Sequence, residues 1–172
     1  MTRFHHVGIT VRDIDASYKF YRDVVGMRIW DQDAELGTFN PVRTESRAKN
    51  SDATFYGIKS AAFDELTDNP GSVFKYINLI MPDHFVFQLV EYTDGRGPDL
   101  DLDHNRAGNP HLSIFVDDLE AKFEEIQRTP GVEPISSIVA IQPDIHAFYV
   151  RDPDGMPIEF QQVVLKPSAL NA

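Results

Sequence analysis

The spacing of apolar and polar residues near the amino terminus predicts a strand followed by a helix. Residues 4–11 (FHHVGITV) are rich in β-branched and aromatic types, which favours a strand. Asp13 or Asp15 can cap the next element, and Gly26 supplies a stop signal at its carboxyl end. Between them, apolar residues recur at helical spacing (Ile14, Tyr18, Tyr21 and Val25). We therefore expect a helix that ends at Gly26, followed by a short strand over residues 27–30.

The centre of the chain contains a predicted hairpin. Residues 73–81 (VFKYINLIM) and 84–92 (HFVFQLVEY) are two strand-like runs separated by Pro82 and Asp83. The preceding residues 31–69 are polar and rich in loop formers, and their pattern assigns no element firmly. Residues 94–109, with three glycines and many Asp and Asn residues, are typical of a linker.

The second half of the chain begins with the same order of elements. The pattern predicts a strand over 111–116, a helix over 117–127, strands over 135–141, 147–151 and 158–165, and a tight turn over 152–155. Aligning His6 with His111, an offset of 105, also matches four further positions with their counterparts (Ile9, Val11, Asp13 and Ala16). The chain therefore contains an internal duplication of a strand, a helix and several strands.

Composition narrows the class of protein. A chain of 172 residues that is 42% hydrophobic is long enough for one compact domain or for two small halves that share a core, and we expect one folded unit. The net charge of −11 disfavours a nucleic-acid partner, because like charges repel the phosphate backbone. The sequence contains no long apolar run and no signal-peptide pattern at its amino terminus. We expect a cytoplasmic protein without a membrane partner.

The chain contains no cysteine, so a metal ion would need imidazole, carboxylate or amide ligands. Alternation along the first strand predicts that His5 and His6 point to opposite faces. If the two halves pack about a pseudo-twofold axis, four polar residues from four strands converge (His6, Gln88, His111 and Glu159). Such a set suits one divalent ion per site: zinc, nickel, cobalt, iron or manganese.

Three segments carry a resemblance to a known family. They are HHVGITVRDIDASYKFYRDVVGM, NPHLSIFVDDLEAKF and FYVRDPDGMPIEF, and the last contains the most specific single motif, DPDGxxIE. In this order they resemble the vicinal oxygen chelate superfamily, which includes glyoxalase I, methylmalonyl-CoA epimerase, extradiol dioxygenases and the bleomycin and fosfomycin resistance proteins.

This resemblance implies an α+β fold of two βαβββ modules, with a long insertion in the first module, and a homodimer. The corresponding boundaries are 1–95 for the first module, with an insertion at about 31–70, 96–109 for the linker, 110–166 for the second module and 167–172 for the tail.

The resemblance also implies site residues. The family's metal ligands would fall on His6, Gln88, His111 and Glu159. Gln88 replaces the Glu of many glyoxalases, and Glu91 competes for its role, although Glu91 should lie on the opposite face of the strand. With Gln88 the site has one anionic ligand, so the metal would acidify bound water more strongly. Glu159 and Tyr149 are the expected catalytic residues.

The sequence is compatible with three functions. The first is a glyoxalase-like lyase or isomerase, in which a small substrate with vicinal oxygens chelates the metal and passes through an enediolate by proton transfer. The second is an Fe(II)-dependent ring-cleaving dioxygenase of the extradiol type, because two His and one carboxylate suit that chemistry and FYxxDPxGxxxE matches part of its signature. The third is a non-catalytic protein that binds a small molecule, as resistance proteins do.

Overall fold

The computed structural model describes residues 2, 4–30, 56–58 and 61–164. The predicted tail 167–172 and most of the predicted insertion therefore lie outside the described residues. The chain divides into two compact units, Met1–Pro98 and Asp99–Ala172. Among the described residues, no helix has the length and apolar character needed to span a membrane.

The described part of the first unit contains a five-stranded sheet and two helices. Its elements are β1 (Val7–Thr10), α1 (Ile14–Phe20), β2 (Arg28–Ile29), β3 (Tyr56–Ile58), α2 (Ala61–Thr67), β4 (Val73–Ile80) and β5 (Val86–Asp94). The sheet has the order β1-β5-β4-β2, and β3 also pairs with β4. The β1–β5 pair is parallel and the others are antiparallel. The predicted central hairpin is thus confirmed as β4 and β5.

The described part of the second unit contains a four-stranded sheet and one helix. Its elements are β6 (Leu112–Phe115), α3 (Leu119–Arg128), β7 (Val139–Gln142), β8 (Ile145–Arg151) and β9 (Pro157–Val163). The order is β6-β9-β8-β7, with a parallel β6–β9 pair and antiparallel neighbours elsewhere. The turn predicted between β8 and β9 is present, because Asp152 Oδ1 accepts hydrogen bonds from the amides of Asp154 and Met156.

The two sheets repeat the same pairing, residue by residue. Gly8 lies opposite Gln88 in the first unit, and Ser113 lies opposite Glu159 in the second. Even the two-residue strand β2 has a counterpart, since the Ile29–Leu79 pair corresponds to an isolated bridge between Pro134 and Val150. The predicted α+β fold of two βαβββ modules is confirmed.

Both modules start their helix with the same contacts. The Asp13 side chain accepts hydrogen bonds from the amides of Asp15 and Ala16, and the Asp118 side chain accepts one from Ala121. A side chain from the last strand of each module completes the helix start. Glu91 Oε2 accepts from the Ile14 amide at 2.8 Å, and Gln162 Oε1 accepts from the Leu119 amide at 3.2 Å.

The end of the first helix differs from a simple helical repeat. Residues Tyr21–Val25 form a π-helical turn after α1, which places Tyr21, Val24 and Val25 in the core. The chain then leaves the helix at Gly26, whose φ of 89° is the left-handed conformation that glycine adopts without strain. The predicted stop signal is therefore confirmed.

Aromatic side chains pack within the largely aliphatic core of each unit. In the first unit the ring of Tyr21, fully buried, lies 5.0 Å from the ring of Phe87. In the second unit, the ring of Phe148 packs against two others. Its centroid lies 5.0 Å from that of Phe123, with the planes at 90°, and 5.5 Å from that of Phe160. These rings lie on the helix-facing side of the sheets and fix the strands that carry the polar candidate residues.

Two predicted regions differ from the structure. The strand expected over 135–141 is reduced to β7, which begins at Val139. Strand β3 lies inside the predicted insertion, yet it pairs with β4 as β7 pairs with β8, because Tyr56 opposes Tyr76 and Val139 opposes Ala147. The extra residues of the first module therefore lie on both sides of a strand that belongs to the repeat.

Candidate functional site

The first candidate pair, His6 and Gln88, lies in the first unit. Gln88 is on β5 between Gly8 of β1 and Asn78 of β4. Its Nε2 donates to Asn78 Oδ1 at 3.0 Å, and its Oε1 lies 3.5 Å from the position that a Cβ on Gly8 would take. A Cβ at position 8 would thus make only an ordinary van der Waals contact with this oxygen. His6 immediately precedes β1, two residues before Gly8.

The predicted separation of His5 and His6 is wrong. Their Nδ1 atoms lie 2.6 Å apart and their rings meet edge to face. Strand β1 begins only at Val7, so strand alternation does not govern the two preceding residues. Partial desolvation, followed by the charge of His5, lowers the pKa of His6 and favours its neutral form, which is the form that binds metals.

The second candidate pair, His111 and Glu159, lies in the second unit beside Tyr149. Glu159 on β9 opposes Ser113 of β6 and Tyr149 of β8. Burial, and after it the charge of Glu159 and hydrogen bonding to it, raise the pKa of Tyr149 to about 12. The ring centroids of His111 and Tyr149 are 6.1 Å apart. The structure therefore brings together three of the predicted site residues within one unit.

Glu159 is a buried carboxylate without a basic partner among the described residues. Its exposed fraction is only 8%, and among the described residues it forms no ion pair with Lys or Arg. Asp152, buried to a similar extent, instead accepts two backbone hydrogen bonds in its turn. Because an ionised carboxylate is costly to bury, a nearby cation would stabilise Glu159. Carboxylate, imidazole and amide oxygen are each ligands that divalent transition metals accept.

Glu91, the competing ligand, has a different role in the structure. Its Oε2 accepts the hydrogen bond from the Ile14 amide and lies 3.1 Å from Lys75 Nζ. Gln162, at the equivalent position of the second module, holds the start of α3 in the same way. These contacts favour Gln88 over Glu91 as the candidate ligand.

Sequence reasoning left His104 out of the site. Its ring packs edge to face on Tyr149, with the centroids 4.7 Å apart and the planes at 82°. His104 lies in the predicted linker, where an Asp-rich, glycine-containing pattern indicates only solvated loop. No local signal in the sequence points to the contact, because it joins residues that are far apart along the chain.

Neither candidate pair is part of a larger acidic or histidine cluster. Within the described residues of either unit, no group of three or more His, Asp or Glu side chains is arranged to hold a metal ion by itself. Each unit instead offers two potential ligands in equivalent positions of the repeat: a His just before the first strand, and Gln88 or Glu159 on the last strand.

Two proteins with related sequences cover nearly the whole chain. An uncharacterized protein of Bacillus subtilis, YwbC, is 24% identical over 93% of this chain and 97% of its own. The lactoylglutathione lyase of Haemophilus influenzae is 30% identical over 90% of this chain and 88% of its own.

Comparison of structures shows the same fold in a glyoxalase family protein from Bacillus cereus. That protein superposes with a TM-score of 0.73 over 96% of both chains, at 15% identity. The family model for the glyoxalase/bleomycin resistance protein/dioxygenase superfamily matches residues 3–160. The chain therefore belongs to the glyoxalase/bleomycin resistance protein/dioxygenase superfamily.

Proposed function

We propose that this protein is a metal-dependent, glyoxalase-like lyase or isomerase that moves a proton in a small substrate with two adjacent oxygen atoms. The single observation that carries this proposal is the pair formed by Glu159 and Tyr149: a buried carboxylate without an ion-pair partner among the described residues, and a phenol opposite it across the β8–β9 pair. The relationship to a lactoylglutathione lyase supports the reaction class.

Four residues would hold the metal, two from each module: His6 and Gln88 from the first, His111 and Glu159 from the second. When bound, a divalent ion would supply positive charge that makes the carbon-bound proton beside the substrate's carbonyl more acidic. The neutral amide of Gln88 would leave Glu159 as the one anionic ligand, so less of that positive charge would be neutralised.

Glu159 is the proposed base. It would take the proton from the carbon that bears the hydroxyl group and return it to the neighbouring carbonyl carbon, while the hydroxyl proton passes to the former carbonyl oxygen. The overall change is an isomerisation that needs no oxidant. Tyr149 would hold the carboxylate in place through its hydroxyl. With a pKa of about 12, the phenol remains protonated at neutral pH and can donate throughout the reaction.

Reconstitution of the metal-free protein tests the reaction. We expect anaerobic addition of Zn²⁺, Ni²⁺ or Co²⁺ to restore thioester formation from methylglyoxal and glutathione, or from methylglyoxal and another thiol. Glu159→Gln should lower kcat by at least about a hundredfold, because the base is removed while the shape is kept. Exposed Glu125→Gln in the same unit serves as a matched control.

Metal analysis tests the ligands independently of turnover. Protein purified without chelator should contain about one metal ion per chain, and His6→Ala and His111→Ala should each lose most of it. Undiminished metal in both variants would contradict the proposed ligands.

The same preparation separates the alternative functions. Consumption of oxygen with catechols in the presence of Fe(II) would replace this proposal with the ring-cleaving dioxygenase. Stoichiometric recovery of an unchanged small molecule, with no turnover under any metal, would indicate a binding protein instead.

A further inference from the structure

The segment that joins the two repeats is anchored to strand β8. We call residues 101–109 the His104 loop. Asn109 Nδ2 donates to the carbonyl oxygens of Leu102 and Asp103, at 2.7 and 2.8 Å. Arg151 Nη1 donates to the Leu102 carbonyl at 3.3 Å, and its Nη2 lies 3.5 Å from Asp103 Oδ1. The two residues that precede His104 are therefore tied both to the end of the loop and to β8.

Arg151 is itself held in place. Its Nη1 also donates to the carbonyl oxygen of Gly155, at 2.7 Å, in the turn between β8 and β9. A guanidinium group with several fixed partners loses less freedom per hydrogen bond than a flexible ammonium group. The His104 loop therefore has an anchor on a rigid hairpin, although most of its residues are exposed.

This anchoring brings the His104 ring onto one side of Tyr149. The ring centroids are 4.7 Å apart with the planes at 82°, which is an edge-to-face arrangement. His111 approaches the same phenol with its centroid at 6.1 Å and its plane at 69°. Two imidazole rings thus pack near Tyr149, which lies opposite Glu159 across the β8–β9 pair.

The first module shows why a second contact is useful here. Position 78 corresponds to position 149, and its short Asn side chain reaches Gln88 directly across the β4–β5 pair. A tyrosine places its hydroxyl much farther from the backbone, so small rotations of the ring displace the hydroxyl by a larger distance. Packing against the flank of the ring restricts that rotation.

We propose that His104 is a positioning residue, which holds the ring of Tyr149 so that its hydroxyl stays directed at Glu159. The catalytic effect of His104 rests on the proposed function, which it deepens. The packing of His104 on Tyr149 does not, because it involves only residues of the second unit. His104 acts through the packing of its flat imidazole ring against Tyr149. Another flat ring at position 104 should therefore replace the imidazole.

Tyrosine ring signals in the NMR spectrum test the packing without any substrate or metal. The protein is labelled with ¹³C-tyrosine, and the Tyr149 signal is assigned by its loss in Tyr149→Phe. We expect His104→Ala to shift that signal, because the nearby ring current is removed, and His104→Phe to leave a ring-contacted signal. Arg151→Lys should shift it in the same direction as His104→Ala, and His146→Ala, a change elsewhere on β8, should not.

Kinetics test the consequence. His104→Ala should lower kcat about tenfold with KM within about twofold, since a misplaced catalytic group affects the reaction more than binding. His104→Phe should restore most of that loss. In the Tyr149→Phe background, His104→Ala should have less than about a twofold further effect, because a residue that acts through another is not additive with it.

The two arms separate the possible failures. A wild-type protein that lacks turnover would overturn the proposed function, while the NMR arm would still decide whether His104 fixes Tyr149. An unmoved Tyr149 signal in His104→Ala would overturn the positioning role. So would a His104→Phe variant as impaired as His104→Ala, or full additivity with Tyr149→Phe.

Discussion

Asn78 accepts a hydrogen bond from Gln88 at 3.0 Å, and this contact decides which end of the Gln88 amide is available. With Nε2 directed at Asn78, Oε1 lies toward Gly8 on β1. Asn78 and Tyr149 occupy equivalent positions opposite Gln88 and Glu159. In both modules, therefore, a polar residue on the adjacent strand lies opposite the candidate ligand.

Removing the Asn78 contact should weaken metal binding. Asn78→Leu leaves the Gln88 amide free to rotate, so we expect the affinity for Zn²⁺ to fall about 10- to 100-fold, as for other partners that orient ligands. Asn78→Asp keeps an acceptor for Gln88 Nε2. We expect it to bind Zn²⁺ at least about ten times more tightly than Asn78→Leu does. Competition with a chromophoric chelator measures both constants.

The result is informative in either direction. If the wild type binds zinc and Asn78→Leu binds it with equal affinity, then Asn78 does not orient Gln88 for metal binding. The circular dichroism spectrum of each variant serves to show that the sheet is intact.

Glu91 should contribute to stability and not to metal binding. In Glu91→Ala the Ile14 amide loses its acceptor at the start of α1, and we expect unfolding in urea to show a loss of about 1–3 kcal/mol. Glu91→Gln should lose less, because Gln162 performs the same role in the second module with an amide oxygen.

Metal content distinguishes the two roles of Glu91. We expect both variants, once folded, to retain the metal content of the wild type. Loss of metal from Glu91→Gln with little change in stability would assign the ligand role to Glu91 in place of Gln88.

The helix caps should be of similar value in the two modules. Asp118 Oδ1 accepts from the Ala121 amide at 2.9 Å, and Asp13 Oδ1 accepts from two amides. Replacing either by Ala should lower the free energy of unfolding by about 1 kcal/mol, whereas replacement by Asn should have a smaller effect. Urea titrations of the four variants measure this, and equal losses for Asn and Ala would show that the caps do not act through these hydrogen bonds.

The sequence was most informative where a local pattern fixes local structure. The Asp13 cap, the Gly26 stop and the hairpin of β4 and β5 each depend on neighbouring residues, and all three are present. The offset between His6 and His111 also predicted the repeat, because both modules use the same pairing.

Contacts between distant residues could not be predicted in the same way. Strand β3 has three residues, too few for a clear alternating pattern, and its place is set by pairing with β4. The His5–His6 contact depends on where β1 begins. The packing of His104 on Tyr149 depends on hydrogen bonds from Arg151 and Asn109, for which the linker sequence has no characteristic spacing.

Tyr149 should titrate later than an ordinary tyrosine. Its folded pKa of about 12 exceeds the usual value of 10, so folding favours the neutral phenol. The resulting stability is fully present below about pH 10 and is lost as the pH rises from about 10 to about 12. A titration of ¹³C-tyrosine signals in metal-free protein should show a late transition that Tyr149→Phe removes.

Glu159→Gln separates the causes of this shift. Burial is the larger cause and persists in the variant, whereas the negative charge that disfavours the phenolate is removed. We expect the Tyr149 midpoint to move down from about 12 and to remain above 10. Glu125→Gln removes an exposed carboxylate of the same unit and should leave the midpoint in place. A midpoint that is unchanged in Glu159→Gln would show that the carboxylate does not act on the phenol, and the pairing on which the proposed chemistry depends would be lost.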